Sequence, residues 1–318
     1  MFFQQVSFND FATPMSDQTG DLLKLAKAGD LQGLAKLLTA LEREGPACFA
    51  KYPELLSPPH MAFRIGITGP PGAGKSTLIA QLISRFRSLG KKVGILAIDP
   101  SSPFTKGAVL GDRIRYTQHF NDPGVFIRSL GSRGSLGGLS SSAYLMVRAF
   151  DLAKFDIVLL ETVGVGQTEL EIMNVADWVS VVLVPESGDS IQAMKAGLLE
   201  IADIFIVNKA DRPGADGFAH ELESSLHLLP TTSKGASQPA EIMKTTATTG
   251  VGLDELIAKF MSEMNSAAPG SWKERRGDLR RLKAEAQALL RAVAEREIEL
   301  KTRTLSGPED LARLFVSK

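Results

Sequence analysis

The chain has 318 residues, 44% of them hydrophobic, which is enough to bury a large core and more than one typical domain needs. Lys plus Arg and Asp plus Glu number 36 each, so the overall balance points to no nucleic-acid or acidic partner and any strong charge must be local. The single cysteine, Cys48, excludes an internal disulfide, and it forms no zinc-ligand spacing with the four histidines. A reducing compartment is therefore expected, the bacterial cytoplasm or an organelle matrix.

Residues 1–20 lack a basic leader followed by an apolar core and read as a flexible tail. Nowhere does the chain sustain the roughly 18 apolar residues that a membrane helix needs, so no membrane association is expected. From Leu22 to Leu41 leucines recur at helical spacing, interrupted at "KAGD". That pattern predicts two short helices in an N-terminal extension over 21–60. The connector "YPELLSPPH" then leads to "FRIGIT", the first buried strand, which opens the main domain over 61–268.

Directly after this strand stands "GPPGAGKS", Gly69 to Ser76, which fits G-x-x-x-x-G-K-[ST] before a helical stretch, "KSTLIAQLISRFRSLG". Glycines let a backbone wrap phosphate oxygens, and the amides and helix N-terminus face the negative charge. Lys75 reaches the terminal phosphates and Ser76 offers its hydroxyl to magnesium. The phosphate cradle is thus Gly69, Pro70, Pro71, Gly72, Ala73, Gly74, Lys75, Ser76 and Thr77. Which nucleotide binds is not decided by this motif.

Next come strands at "KKVGILAID" and "GVFIRSL", a helix at "SSSAYLMVRAFDLAK", and the apolar run "FDIVLLET". An acid at the tip of a strand beside the phosphate-loop strand is placed to hold the water shell of magnesium, and Glu161 occupies that position. Gly164 and Gly166 follow and give the loop room to move with the terminal phosphate. "ETVGVG" therefore reads as cation anchor and switch together. Gln167 does not directly follow the first glycine of that loop and is not assigned to catalysis. Arg133 reads either as a phosphate contact or, more simply, as a solvent-facing loop residue, and His60, His119, His220 and His227 as packing or surface residues.

The strand "WVSVVLVP" and the helix "SIQAMKAGLLEIA" precede "DIFIVNKAD". Asp211 can accept hydrogen bonds from the ring N–H and exocyclic amine of guanine, a donor pair that adenine lacks. A site built on such bonds discriminates by roughly four powers of ten. Asn208 would brace the loop, and the stem of Lys209 would lie over the base. In "KTTATTG" the backbone of Thr246 and Ala247 either reaches the other edge of the base or forms a plain strand-to-loop turn. Beyond "DELIAKFMSEMNSAAPG" the composition changes, and "SWKERRGDLRRLKAEAQALLRAVAEREIELKTR" reads as one long charged helix in a C-terminal arm over 269–318. Leu279, Leu282, Ala286, Leu289 and Val293 form a short seam at three-then-four spacing, for packing on the domain or on a second copy.

Strands apolar on both faces alternating with helices predict an α/β fold. The expected architecture is a P-loop NTPase with a doubly wound, mainly parallel sheet flanked by helices and helical extensions at both ends. Its functional residues should gather at the carboxyl ends of the strands.

The combination "GITGPPGAGKST", "AIDPSSPFTKGAVLGDRIR", "FIRSLGSRGSLGGLS", "LLETVGVGQTE", "PESGDSIQAMKAG" and "VNKAD" resembles the MeaB/ArgK/MMAA family of P-loop GTPases, chaperones of adenosylcobalamin-dependent acyl-CoA mutases. The resemblance runs almost unbroken from Arg64 to Asp211. It implies a Mg2+-dependent GTPase turning GTP into GDP and phosphate, with a mutase such as methylmalonyl-CoA mutase as partner, and the seam from Leu279 to Val293 predicts a homodimer. It further implies that Asp99 and Asp112 join Ser76 and Glu161 at the magnesium site, and that Glu161 replaces the aspartate more usual in GTPases. "PESGDSIQAMKAG" is similar to the family's third switch, with Asp189, Gln192 and Lys195 at its polar positions. Lys195 would then either stabilise charge on the phosphates, as a catalytic group beside Lys75 and Glu161, or hold the loop in the state a partner recognises. No cobalamin site is identified in this chain. Two rival readings stand beside this one: a protein kinase associated with amino-acid transport, and a GTP-dependent assembly module that does not hydrolyse.

Overall fold

The computed structural model describes residues 18–99, 116–131, 141–162, 168–187, 196–227, 240–268 and 271–302. Its centre is a parallel sheet of β1 (Phe63–Thr68), β2 (Val93–Asp99), β3 (Val125–Gly131), β4 (Ile157–Thr162), β5 (Trp178–Leu183), β6 (Ile204–Val207) and β7 (Glu241–Lys244). The seven strands lie in the order β3-β2-β4-β1-β5-β6-β7. β1 to β6 fall within apolar runs that the sequence marks as strands, whereas β7, "EIMK", is a half-exposed edge strand with a charge at each end. β1, β4 and β5 are buried at every position, because central parallel strands are covered on both faces. Ile67 of β1 lies opposite Glu161 of β4, so the phosphate-loop strand and the acid-bearing strand end side by side.

One face of the sheet carries α4 (Lys75–Ser88), α9 (Leu253–Asn265) and α10 (Trp272–Arg276), whose Leu78, Leu82, Phe86, Leu256, Phe260 and Trp272 pack on Ile65, Ile95 and Leu159. The other face carries α5 (Ser141–Leu152), α6 (Thr168–Val175), α7 (Ala196–Ile201) and α8 (Ala215–His227), through residues including Leu145, Ile172, Leu198 and Leu222.

The N-terminal helices α1 (Gln18–Lys27) and α2 (Leu31–Glu44) form as the leucine spacing predicts, parted at Gly29. Asp30 caps α2 by accepting from the Gln32 and Gly33 amides, at 2.8 and 3.0 Å. Leu34, Leu37, Leu38 and Leu41 bury one helical stripe in the same core as α5, each fully buried leucine contributing about 1.5–3 kcal/mol. The short α3 (Cys48–Lys51) places Cys48 at 1% exposure. Burial, with Glu44 nearby, pushes its thiol up to about 12, which makes it an inert packing residue.

The C-terminal segment differs from the single helix read in the sequence. It breaks into α10 and α11 (Leu279–Thr302) at Gly277 and Asp278. Asp278 accepts from the Arg280 amide at 2.7 Å, a start signal that competes with continuing the helix. Leu279 and Leu282 are 78% and 46% exposed, whereas Leu289 packs on the core of its own chain.

An arginine clasp holds these helices to the amino ends of the strands. Trp272 packs against Phe63 with ring centroids 5.4 Å apart and ring planes tilted by 53°. Arg276 donates to Asp177 at 2.9 Å and to the Ala62 carbonyl at 2.6 Å, and Arg281 reaches Asp177 at 3.4 Å. Arg275 pairs with Asp203 at 3.1 Å, and Arg64 with Asp151 at 2.5 Å. Among the described residues, no helix is long and apolar enough to cross a membrane.

Candidate functional site

The phosphate-loop sequence leaves β1 at Gly69 and enters α4 at Lys75. Two of its glycines are required sterically. At Gly69, φ +135°, an added Cβ would lie 2.1 Å from the Val182 carbonyl oxygen; at Gly74, φ +88°, it would lie 2.4 Å from Asn208 Nδ2. The first turn of α4 contains no acid, so its dipole and amides remain suited to an anion. Lys75 is 6% exposed and its ammonium donates to the carbonyls of Gly69 and Pro70, at 2.7 and 3.0 Å. The cation is thereby held over the loop that the motif assigns to phosphate.

Beside it, the end of β4 brings Glu161 to the loop. Its carboxylate, 5% exposed, accepts from Ser76 Oγ at 2.6 Å through Oε1 and from the Tyr116 hydroxyl through Oε2. Thr162 Oγ1 donates to Thr68 Oγ1 at 2.9 Å, tying the two strand ends together one residue further on. The Glu161 carboxylate and the Ser76 hydroxyl are hard oxygen donors in direct contact, which fits magnesium and not a soft metal. Among the described residues no cluster of three or more His, Cys, Asp or Glu forms a metal site. Asp99 ends β2 with its backbone opposite Gly131. The Asp99 side chain and residues Asp112, Gly164, Asp189, Gln192 and Lys195 lie outside the described residues.

The end of β6 supplies the third part. Asn208, 2% exposed, donates through Nδ2 to the Ala73 carbonyl at 2.9 Å and accepts through Oδ1 from the Ala247 amide at 3.1 Å and Thr245 Oγ1 at 3.3 Å. Lys209 has φ +56°, rare for a side-chain-bearing residue, and its ammonium donates to the Gly72 carbonyl at 2.9 Å. Asp211 is exposed. Thr246 donates its amide to the Val251 carbonyl at 3.0 Å. In this conformation the Thr246 amide is therefore used within its own loop and the Ala247 amide on Asn208. Asn208 and Lys209 each bind the phosphate loop directly, an arrangement that spacing alone does not disclose. Tyr116 and Thr245 are the site residues missed in the sequence. No motif flags the lone tyrosine of "RIRYTQHF", and Thr245 stands one position before the pair that was singled out.

With the geometry in place, comparison with known proteins is specific. The family model described as methylmalonyl Co-A mutase-associated GTPase MeaB matches residues 34–301. The chain belongs to the MeaB family. A Pyrococcus horikoshii relative whose name classes it as a GTPase is 41% identical over 299 residues, covering 94% of this chain and 93% of its own. The GTPase ArgK of Escherichia coli is 36% identical over 214 residues, 65% of each chain. The mitochondrial methylmalonic aciduria type A homolog of Caenorhabditis elegans is 34% identical over 224 residues, 66% of this chain and 56% of its own. Among solved structures, one titled LAO/AO transport system kinase covers 95% of this chain and 98% of its own, with TM-score 0.64 and 24% identity. That likeness shows the fold, a parallel sheet with helices on both faces.

Proposed function

We propose that this MeaB-family chain is a magnesium-dependent GTPase that chaperones an adenosylcobalamin-dependent acyl-CoA mutase, supporting loading or protection of the cofactor. The observation carrying the catalytic half is the direct bonding of the phosphate loop to both Glu161 and Asn208. That bonding supports a reading in which a carboxylate for a metal and a loop for a base share one cradle. The mutase half is supported by the family description, which names a methylmalonyl Co-A mutase-associated GTPase.

In this reading Asp211 selects guanine, and the loop from Gly69 to Thr77 holds the phosphates. Lys75 stabilises charge on the terminal phosphate as water attacks it. Ser76 and Glu161 hold magnesium, with Asp99 and Asp112 completing the acidic surroundings. When bound, magnesium polarises the phosphate oxygens and offsets their charge. Gly164 lets the loop after β4 rearrange between GTP and GDP, and Asp189, Gln192 and Lys195 carry the state of the nucleotide to the partner. The exposed Leu279 and Leu282 give α11 an apolar strip for a second copy of the chain, making a homodimer. The cytoplasm, or an organelle matrix, is the proposed location. The kinase title belongs to a structure at 24% identity, which conveys the fold and not the phosphate acceptor.

The experiment is GTP turnover with and without the cognate mutase, following free phosphate and labelled protein separately. The proposal expects slow release of free phosphate by the chain alone and faster release with the mutase. Lys195→Ala should keep nucleotide affinity and basal turnover and lose most of the stimulation. Transfer of label to protein favours the kinase, binding without turnover favours the assembly module, and no stimulation by an authenticated mutase ends the chaperone reading.

A further inference from the structure

Among the described residues two hydroxyls donate to Glu161, one on each carboxylate oxygen, and of these only Ser76 belongs to the nucleotide motifs. Ser76, in the first turn of α4, takes Oε1. The phenol of Tyr116 takes Oε2 from the turn that precedes β3. The tyrosine ring is fully buried, in the same core as Ile67, Leu78 and Ile79. Its turn is fixed to α4 by contacts that do not involve Glu161. His119 Nε2 lies 3.1 Å from the Ala80 carbonyl oxygen, and Arg87 Nε donates to Asp122 at 2.8 Å. The phenol is thus set in place by packing and by these two anchors, as a rigid donor with few torsions to lose.

We infer that Tyr116 is a positioning residue that fixes the orientation of the Glu161 carboxylate for magnesium. The inference rests on the magnesium-dependent GTPase reading. The last torsion of a glutamate is broad, so a carboxylate held at one oxygen can turn about it. Pinning Oε2 with the phenol leaves Oε1 directed at Ser76, which keeps the two oxygens assigned to the cation together. Hydroxyl donors to an ionised carboxylate make charge-assisted bonds, which are stronger than those between neutral groups. Replacing the hydroxyl by hydrogen while keeping the ring removes the phenolic bond to Oε2 and leaves the core filled. The consequence should fall on the metal and not on the nucleotide.

The test uses the full chain and its Tyr116→Phe variant with a fluorescent GDP analogue, titrating Mg2+ while following analogue release. Tyr116→Phe should raise the Mg2+ concentration for half-maximal retention about tenfold, the size expected for a hydrogen bond to a charged group, and leave metal-free affinity within about twofold. In a Glu161→Ala background the same change should add nothing, because the hydroxyl acts through the carboxylate. An unchanged Mg2+ requirement, or an equal shift in the Glu161→Ala background, would overturn the inference. If the native protein shows analogue binding without any Mg2+ dependence, the magnesium reading itself fails and the inference with it. Should Tyr116→Phe not fold, tyrosine difference absorption on adding Mg2+ to the nucleotide complex serves instead. A signal present in the native protein and lost in Glu161→Ala supports the role of the phenol, and no signal in the native protein contradicts it.

Discussion

Asn208 donates its side-chain N–H to the Ala73 carbonyl at 2.9 Å, across 135 residues of sequence. The residue that opens the guanine motif is therefore also a strut under the phosphate loop, and its oxygen at the same time holds the Ala247 amide. Burial makes these bonds costly to lose, since each partner left unpaired forfeits about 1–3 kcal/mol. Asn208→Ala should lower stability by about 2–4 kcal/mol in urea unfolding of the nucleotide-free protein, with a parallel loss of guanine nucleotide affinity. Asn208→Asp should fail similarly, because an ionised carboxylate cannot donate to Ala73. Native stability in either variant would mean that the strut carries no load.

Glu161→Ala removes the carboxylate that faces Ser76 while leaving the phosphate loop and the guanine motif in place. Hydrolysis of GTP should fall about 100-fold or more, and GDP binding by less than about tenfold, because the metal matters most when charge develops on the terminal phosphate. Single-turnover assays beside GDP titrations separate the two. Normal magnesium-dependent turnover would remove Glu161 from the mechanism.

The strands were legible because central parallel strands must be apolar on both faces, as in "FRIGIT" and "FDIVLL". The pairing of Ser76 with Glu161 was legible too, because a motif and a strand tip define where each must stand. Three features were not. The break at Gly277 was hidden by a charged, helix-favouring composition on both sides of it. The seam at Leu279, Leu282 and Leu289 has helical period, yet period alone does not say that Leu289 turns inward while Leu279 stays 78% exposed. Tyr116 meets Glu161 from 45 residues away, and no local pattern encodes a contact made only by packing.

Asp177 has a fully buried side chain that accepts from Arg276 and Arg281, so it is the point on which the C-terminal helices are clasped. Removing one partner of a buried ion network leaves guanidinium charge without compensation and costs about 3–5 kcal/mol. Asp177→Ala should therefore destabilise the fold by that order. It should also speed proteolysis around Gly277, where α10 meets α11, while metal-free GDP affinity stays within about twofold because the clasp lies at the opposite ends of the strands. Unchanged unfolding and protease resistance would show that Trp272 and its apolar contacts hold the helices unaided.

Asp122 is held below the usual carboxylate range, first by its hydrogen bond from Arg87 and also by that from the Gly124 amide. A carboxyl whose pKa is depressed on folding stabilises the protein above its unfolded value, about 3.9 for Asp. That contribution is lost as the pH falls through the lower, folded value. Comparing native and Asp122→Asn unfolding across pH should show the native protein ahead at pH 7, with the gap shrinking only below about pH 4. A gap that is constant into strong acid would place the effect in packing and not in charge.

The central claim, that one cradle recognises a guanine nucleotide, is tested most directly by calorimetric binding of GTP, GDP, ATP and xanthosine diphosphate to the native chain and to Asp211→Asn. The native protein should prefer GTP over ATP by about four powers of ten, because adenine would leave the Asp211 carboxylate unpaired. In Asp211→Asn the preference should move toward the xanthine nucleotide, whose exocyclic oxygen suits the new amide donor. Equal affinity of the native chain for ATP and GTP would contradict it.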